Sequence, residues 1–487
     1  MPRSVVFITA DSIPRQVCSP DGGLPGIETP GLAALAARGA WCERAYCATP
    51  LCTPARAAWY TGLHPTVAGA PCNNLRPRRD TPLLAELLGA AGYHCRHLGK
   101  WHLDGCGHEG GGHCQGGFVG AWYDQSTFMD EVGRDGPPPA RFGNWNRGLE
   151  DANFCFGERL VTRSEDLLRS HDYAQPLFLA VEFDEPHGPY ICPPPWRGRH
   201  AWAELPRPAT LRDTLAGKPA LHRDMAAFLR AGRDNAGADL ARYYQHYYDC
   251  LAYADHCIAR VAAAVRRYAP AETAIVVTAD HGDHLGAFGL GPKGPTMYES
   301  CIGVPLILDV PGVTTPGQRY AAPVQGVDIF ATLLDCASAW DADARPARPG
   351  DACRSLLPQL RGEEPERSTA LISYERFGIG VAACAGYHPI RCITDGRRKL
   401  VVNLFDRDEY YDRVSDPDEA DNRIDDPAIA AERDALHDQM LEAMQGSRDL
   451  LAGRAWRERP WRRAAAEPVT ALFPTGYREA VASRPFA

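Results

Sequence analysis

Short apolar segments rich in β-branched residues recur along the chain, separated by longer stretches in which apolar residues follow helical spacing. Segments of this length between turn signals predict buried strands. They are Val5–Thr9, His94–Leu98, Leu177–Glu182, Ala274–Thr278 and Pro305–Asp309. The helical patterns between them include Pro30–Arg38, Thr81–Ala91, Asp239–Tyr268 and Asp328–Cys336. Strands that alternate with helices predict an α/β fold, in which a mainly parallel sheet is sandwiched by helices.

Polar residues that could take part in chemistry follow four of these predicted strands. In chain order they are Asp11, then Lys100 with His102, then His187, then Asp280 with His281. Parallel sheets bind their ligands beyond the carboxyl ends of the strands. We therefore expect these side chains to converge on one site at that edge of the sheet.

The pattern changes near Tyr387, where short strands with tight turns replace the long alternation. The predicted strands are Arg391–Thr394, Lys399–Leu404 and Tyr410–Asp412. A helix predicted at Asp426–Met444 would pack on them. We therefore expect a catalytic domain at residues 1–385, followed at residues 386–487 by a small C-terminal antiparallel α+β domain and a tail.

The composition limits where the protein works and what it binds. The net charge of −9 argues against a nucleic-acid partner and against a basic membrane-binding surface. No apolar run is long enough to span a bilayer, and the N-terminus lacks an apolar secretory segment. We therefore expect a cytoplasmic protein in which many of the 17 cysteines are reduced, and their odd count also argues against a complete disulfide framework.

The pentapeptide Cys52-Thr53-Pro54-Ala55-Arg56 has the form C-x-P-x-R. Thr53 can cap a helix, and Pro54 suits its first turn. Cys52 would then lie at a helix N-terminus, where backbone amides attract anions, and Arg56 would add a full positive charge. By itself the pattern is expected by chance in about one chain of this composition in ten, so its meaning depends on its partners.

Four further residues could join Arg56 in a positive pocket on this acidic chain. They are Lys100, His102, His187 and Lys293. Each of them alone is more often a solvated or core residue. Together they would suit a tetrahedral anion, because charge-assisted hydrogen bonds hold the oxygens of sulfate or phosphate groups.

Taken together, the motifs resemble those of formylglycine-dependent (type I) sulfatases of the alkaline phosphatase superfamily, and they are most similar to bacterial cytoplasmic sulfatases. The matching segments are Asp11, Cys52–Arg56, Gly99–His102, Pro186-His187, Asp280–Gly282 and Lys293. The resemblance implies an alkaline phosphatase-like fold and hydrolysis of an aryl or carbohydrate sulfate monoester. It also implies a maturation enzyme that oxidises Cys52 to formylglycine, whose hydrated gem-diol would supply the nucleophile.

The resemblance further implies a role for each cationic residue. Arg56 and Lys100 would hold the gem-diol and the oxygens on the metal side. His102 would take the proton of the hydroxyl that remains after sulfate transfer. His187 and Lys293 would protonate or stabilise the leaving oxygen. The implied sulfate contacts are His187, Lys293 and Asn73.

One divalent metal is also implied, with calcium as the first expectation. Its ligands would be Asp11, the matured Cys52, Asp280 and His281. The chain departs from the family pattern at Ser12, where many sulfatases carry a second Asp, and at His281, where many carry Asn. An imidazole ligand favours Mn²⁺ or Zn²⁺ more than an all-oxygen site does, so both ions stay open beside Ca²⁺.

Two other functions stay open. A phosphonate monoester or phosphodiester hydrolase of the same superfamily would use the same nucleophile. Such enzymes tend to carry neutral hydroxyl residues at the positions of Lys100 and His102, so these two residues favour a sulfatase. A non-catalytic sulfate- or sugar-binding protein would keep Cys52 unmodified, but it would have no need of a proton relay. The alcohol half of the substrate stays open.

Cys106, His108, His113 and Cys114 form a second group with the residue types of a zinc site. Their spacing is irregular, and the segment is rich in glycine, unlike most structural zinc sites. We therefore interpret the segment as a loop that lines the substrate pocket, with structural zinc as the alternative.

Overall fold

The computed structural model describes residues 3–135 apart from 19 and 21, and then residues 152–231, 236–338, 353–378 and 386–462. Within these residues, eight strands form a main sheet. They are β1 Val5–Ala10, β2 Ala40–Tyr46, β3 His94–Gly99, β4 Trp122–Tyr123, β5 Leu177–Phe183, β6 Ala274–Ala279, β7 Leu306–Asp309 and β8 Gln318–Gln325. Their order across the sheet is β4-β3-β5-β1-β6-β7-β2-β8.

The centre of the main sheet is parallel, as the sequence predicts. β1 pairs in parallel with β5 and β6, and β3 pairs in parallel with β5 and β4. β7 runs antiparallel to both of its neighbours, β6 and β2. Every residue of β1, β5 and β6 is buried, which explains why these strands show nearly unbroken apolar runs instead of alternation.

Helices pack against this sheet, which confirms the predicted α/β class. The α-helices of the described residues are α1 Pro30–Arg38, α2 Cys52–Thr61, α3 Pro65–Ala68, α4 Leu84–Ala90, α5 Gln125–Asp135, α6 Phe156–Ser170, α7 Ala220–Ala231, α8 Ala236–Tyr268, α9 Glu299–Ile302, α10 Asp328–Cys336, α11 Leu356–Leu360, α12 Ala430–Gly446 and α13 Arg454–Arg457. None of them combines the length and the apolar character that a membrane-crossing helix needs.

Three strands of the main sheet, β2, β8 and the two-residue β4, are missing from the sequence prediction. β2 carries Glu43 and Arg44 at half-buried positions, and these charges interrupt its apolar pattern. β8 lies at an edge of the sheet, exposes Arg319 and contains Pro323, which edge strands tolerate because half of their backbone groups have no ladder partner. Neither β2 nor β8 has the continuous apolar run that marks the central strands, and β4 is only two residues long.

The second sheet is antiparallel, in the order β12-β11-β10-β9. Its strands are β9 Ala370–Tyr374, β10 Ile390–Thr394, β11 Arg398–Asn403 and β12 Glu409–Asp412. α12 packs on this sheet, as the sequence predicts. The strand β9 precedes the predicted boundary at residue 386, because its long connection to β10 gives no tight-turn signal. The division into two domains stays a prediction, and residues 463–487 of the predicted tail lie outside the described residues.

Lys399 of β11 connects the second sheet to the segment just before β7. Its buried ammonium group donates a hydrogen bond to the Met297 carbonyl oxygen at 2.8 Å and forms ion pairs with Glu419 and Glu299. Two carboxylates around one buried ammonium offset the cost of removing it from water. The contact therefore fixes the second sheet against the segment that leads into β7 of the main sheet.

Candidate active site

The carboxyl ends of β3, β5, β1 and β6 lie side by side, and the loops that follow them carry all the candidate residues except Cys52 and Arg56 of α2 and Asn73. The buried candidates are Asp11, Cys52, Arg56, Lys100, His102, Asp280 and His281. His187 and Lys293 are half-buried at the border of this group. The structure therefore brings together residues from four separate loops, as their positions after parallel strands predict.

Cys52 is the first residue of α2, and it is only 1% exposed. Its Sγ accepts a hydrogen bond from Lys293 Nζ at 2.7 Å. The same sulfur lies 3.3 Å from His281 Nε2 and 4.0 Å from Lys100 Nζ. Residue 52 therefore lies at a helix N-terminus among cationic side chains, as the pentapeptide predicts.

The first turn of α2 is capped by a residue from outside the helix. Asn73 Oδ1 accepts the hydrogen bond of the Thr53 N–H at 3.1 Å. The Thr53 hydroxyl instead donates to the His102 carbonyl oxygen at 3.0 Å and accepts the Asn74 N–H at 3.2 Å. The prediction that Thr53 caps the helix is therefore wrong, because its hydroxyl connects two neighbouring loops. The sulfate contact implied for Asn73 stays a prediction, and part of its amide is already engaged by α2.

The surroundings of residue 52 favour negative charge. Burial and the Asp11 carboxylate both oppose ionisation of the Cys52 thiol. Lys100, Lys293 and His281 outweigh these effects and hold the pKa of Cys52 well below its usual range. A pocket that stabilises an anion at residue 52 would also stabilise negative charge on an oxygen at the same place.

Asp11, Cys52, Asp280 and His281 fit a metal ion, because one potential ligand atom from each lies within 4.8 Å of all the others. His281 Nδ1 donates to the Gly282 carbonyl oxygen at 2.8 Å, which leaves Nε2 as the ligating nitrogen. Burial, and then the charge of Asp11, raise the pKa of Asp280 to about 7. A divalent cation would offset the repulsion between these buried carboxylates.

Ser12 connects the two carboxylates of this group. Its Oγ donates to Asp11 Oδ1 at 2.6 Å, and its backbone N–H donates to Asp280 Oδ1 at 3.1 Å. The residue that departs from the family pattern therefore orients the two carboxylates and adds no charge of its own.

Arg56 is completely buried, and protein groups surround its guanidinium. Nη1 donates to Glu182 Oε2 at 2.5 Å and to the Lys100 carbonyl oxygen at 2.8 Å. Nε donates to Asp280 Oδ2 at 3.2 Å, and Nη2 lies 3.5 Å from Asp11 Oδ2. These contacts make Arg56 a support for the carboxylates of the candidate metal group.

Glu182 belongs to this site and was missed by sequence reasoning. It lies in β5, is fully buried, and binds Arg56 and the Tyr60 hydroxyl. His97 Nε2 is 3.4 Å from its second oxygen. A glutamate inside an otherwise apolar predicted strand was the available signal, because buried carboxylates need partners.

The two candidate catalytic histidines are held in different ways. His102 Nε2 forms a hydrogen bond with Asn74 Oδ1 at 2.8 Å. Burial, with Lys100 as a further cause, lowers the pKa of His102 to about 4, so its imidazole is neutral at neutral pH. His187 Nδ1 donates to the Gly188 carbonyl oxygen at 2.7 Å, and burial followed by Lys100 lowers its pKa as well.

A cleft of about 170 Å³ opens beside His187 and Lys293. Its remaining walls are formed by Ser12, Pro186, Gly188, Tyr190, Tyr243, Asp283 and Pro292. Rings and prolines therefore lie directly next to the cationic group around residue 52. A compact group attached to a sulfate could occupy this cleft while the sulfate reached residue 52.

The group Cys106, His108, His113 and Cys114 does not come together as a metal site in the described part of the chain. Both cysteines are exposed, and His113 bonds a backbone carbonyl oxygen of its own loop. His108 instead points inward, where its Nε2 lies 3.0 Å from Asp184 Oδ1. The segment therefore lies beside the candidate site, as the loop interpretation predicts.

Comparison with known proteins identifies the class of enzyme. The family model described as "Sulfatase" matches residues 3–339, and the model described as "N-sulphoglucosamine sulphohydrolase, C-terminal" matches residues 288–446. The chain is 31% identical to the uncharacterized sulfatase YidJ of Escherichia coli K12, over 94% of this chain and 90% of that protein. This chain therefore belongs to the sulfatase family. It is a type I sulfatase, a hydrolase of sulfuric esters.

Two solved structures share the fold. One is a protein solved in complex with its substrate, D-glucosamine-2-N,6-O-disulfate. It has a TM-score of 0.75 and is 22% identical to this chain, and the match covers 93% of this chain and 99% of that one. The phosphonate monoester hydrolase of Agrobacterium radiobacter has a TM-score of 0.74 at 22% identity and covers 91% and 95%. At this identity the likeness establishes the fold alone, and it confirms the alkaline phosphatase-like architecture.

Proposed function

We propose that this sulfatase attacks a sulfate monoester with residue 52, after Cys52 has been oxidised to formylglycine. The observation that carries the proposal is the position of Cys52 Sγ, with Lys293 Nζ at 2.7 Å, His281 Nε2 at 3.3 Å and Lys100 Nζ at 4.0 Å. Once hydrated, the aldehyde offers a hydroxyl nucleophile at that point. A formylglycine-generating maturation enzyme is then a transient partner.

In this proposal, the ligands of the metal ion are Asp11, residue 52, Asp280 and His281. A bound divalent cation supplies positive charge for the oxygens at residue 52 and for those of the sulfate group. Ca²⁺ is the first expectation because the carboxylates are hard oxygen ligands, and the imidazole of His281 keeps Mn²⁺ and Zn²⁺ open.

The other side chains divide the work of binding and proton transfer. Lys293 and His187 border residue 52, so they hold the sulfate group and stabilise or protonate the leaving oxygen. Lys100, held by Asp11 at 2.6 Å, keeps positive charge beside residue 52. His102 Nδ1 is buried without a hydrogen-bond partner among the described residues, so it can accept the proton of the second hydroxyl.

The Asp280→Ala variant is expected to lose the metal and to lower kcat/KM by more than about a hundredfold, because even indirect contacts to a metal ligand are worth up to that factor. Elemental analysis and hydrolysis of an aryl sulfate measure the two effects. Asp255→Asn is the matched control: this buried carboxylate accepts the backbone N–H groups of Gly31 and Leu32 and lies outside both the metal group and the cleft. Active Asp280→Ala protein with full metal content would contradict the proposed site.

The His102→Ala variant is expected to release about one equivalent of alcohol per site and then to stall, because the base for the second step is missing. A single-turnover burst assay with an aryl sulfate measures the first step. Mass analysis should then find sulfate retained on the peptide that contains residue 52. Exposed His113 offers a control, since His113→Ala should turn over normally. Steady turnover of His102→Ala at the wild-type rate would remove His102 from the mechanism.

A phosphonate monoester or phosphodiester hydrolase is the second candidate, and the shared fold with such an enzyme is the observation that supports it. Lys100 and His102 favour sulfate, because related phosphonate hydrolases tend to carry neutral residues there. The test compares kcat/KM of the matured enzyme for an aryl sulfate and for the corresponding aryl phosphonate monoester. We expect the sulfate to be preferred. A preference for the phosphonate over every sulfate tested would replace this proposal.

Two broader predictions accompany this function. We propose a catalytic unit at residues 1–385 and a smaller C-terminal unit at residues 386–487, with β9 contributed to the second sheet by the first unit.

We also propose that the enzyme works in the cytoplasm. Fractionation of cells that express the chain from its own gene tests the location.

A further inference from the structure

His108 lies next to both candidate catalytic histidines and has no role in the proposal above. Its ring centroid is 4.6 Å from that of His187 and 5.5 Å from that of His102. The His108 side chain is 31% exposed, whereas His102 is 4% exposed. His108 therefore borders the two histidines and is more exposed to solvent than His102.

Asp184 orients the imidazole of His108. His108 Nε2 lies 3.0 Å from Asp184 Oδ1 and 3.1 Å from Oδ2, and Lys100 Nζ donates to the same carboxylate at 2.9 Å. Burial opposes the charge of Asp184, but His108 and Lys100 outweigh it and hold the pKa of this carboxyl below its usual range. An ionised carboxylate only accepts hydrogen bonds, so it selects the tautomer of His108 with the proton on Nε2.

The second ring nitrogen of His108 is available to a ligand. Among the described residues, the side-chain hydrogen bonds of His108 all run through Nε2 to Asp184, and Nδ1 has no partner. With Nε2 held by Asp184, Nδ1 accepts a hydrogen bond when the ring is neutral and donates one when it is protonated. A hydroxyl group can serve as the partner in both cases, because it is both a donor and an acceptor.

We propose that His108 binds the alcohol half of the substrate through a hydroxyl group on the carbon next to the sulfated one, and that Asp184 positions His108 for this contact. The inference rests on the proposed function, in which His187 meets the leaving oxygen. A group attached one carbon away from that oxygen comes within reach of the ring beside His187. The substrate class is therefore a vicinal hydroxy sulfate, such as a sugar sulfate or a catechol sulfate.

A second metal ion is the competing explanation of the same geometry. Potential ligand atoms of His108, Asp184 and His187 lie within 4.8 Å of one another. Asp184 is the only carboxylate of this cluster, and the ammonium group of Lys100 already occupies it at 2.9 Å, whereas the group around residue 52 has two carboxylates, Asp11 and Asp280, to balance a cation beside Lys100. The charge balance of the cluster therefore favours a neutral hydrogen-bonding ligand over a metal.

The test uses two aryl sulfates that differ in one hydrogen-bonding group, ortho-hydroxyphenyl sulfate and ortho-methoxyphenyl sulfate. We expect the metal-loaded, matured enzyme to prefer the hydroxy ester by about tenfold in kcat/KM, because a polar group of the site is left unpaired by the methoxy ester. The ratio should fall to near one in His108→Ala and in His108→Phe, which keeps the ring packing without the nitrogens. Asp184→Asn should lower it as well, whereas His113→Ala should keep the wild-type ratio.

Every result of this test decides the question. An unchanged ratio in folded His108→Phe protein would overturn the inference, even if overall activity fell. Binding of a second equivalent of Zn²⁺ that is lost in the His108→Phe variant would replace it with the metal site. Hydrolysis of other sulfate esters but of neither of these two would also overturn the inference, whereas failure of the matured wild type on every aryl and carbohydrate sulfate tested would remove the proposed function.

Discussion

Replacing Cys52 with alanine is expected to lower kcat/KM for sulfate ester hydrolysis by at least about 10⁴-fold, as loss of a catalytic nucleophile does in other hydrolases. Alanine cannot be oxidised to an aldehyde and offers no oxygen for attack on sulfur. The fold should survive, because the side chain is small and lies at the end of the sheet, outside its core. Hydrolysis of an aryl sulfate by protein produced together with a maturation enzyme measures the loss.

Cys336→Ala is the matched control for this variant. Cys336 is also fully buried, but it lies in α10 and outside the candidate site. We expect it to keep wild-type turnover after any small loss of stability. If Cys52→Ala kept the activity of Cys336→Ala, residue 52 would not be the nucleophile.

The Arg56→Ala variant is expected to lower the free energy of unfolding by about 3–5 kcal/mol, which is the usual effect of removing one partner from a buried ion pair. Arg56 is 0% exposed and holds Glu182, Asp280 and Asp11. Without it, three buried carboxylates lose their shared cation. Lysine should rescue little, because its single ammonium cannot reproduce the planar fork. Denaturant unfolding of metal-free protein measures the change without a contribution from metal binding.

An exposed arginine provides the control for this effect. Arg78 pairs with Asp80 at the surface, where the side chains are 55% and 67% exposed. Arg78→Ala should change stability by less than about 1 kcal/mol, because solvent screens such pairs. Equal stability losses for Arg56→Ala and Arg78→Ala would show that the buried network contributes nothing beyond an ordinary surface pair.

The central strands could be predicted from the sequence because their burial requires apolar residues at nearly every position. β1, β5 and β6 are covered on both faces and therefore read as apolar runs. Strands at the edges are different, because solvent accepts charges such as Arg319 in β8. β9 was missed for another reason. Its partner β10 is distant in sequence, so the connection between them contains no hairpin-turn motif that would predict the pairing.

The position of the candidate site could be predicted from the sequence, but most of the contacts between its buried side chains could not. Parallel strands place their carboxyl ends together, so residues such as Asp11 and Asp280 could be grouped without a structure. Glu182 and Asp184 acquire their roles only through tertiary partners, Arg56 in one case and Lys100 in the other. The sequence pattern contains no trace of those pairings. Asn73 shows the same limit, since it caps a helix that lies elsewhere in the chain.

The identity of residue 52 in active protein tests the account most directly. Trypsin should release residues 45–56 as one peptide, which contains Cys47 as well as residue 52. In protein produced with a maturation enzyme, mass spectrometry should find an aldehyde at residue 52 and an unmodified thiol at Cys47, which serves as the internal control. The aldehyde fraction should rise in proportion to sulfatase activity across preparations. Fully active enzyme that carries only thiol at residue 52 would contradict the account.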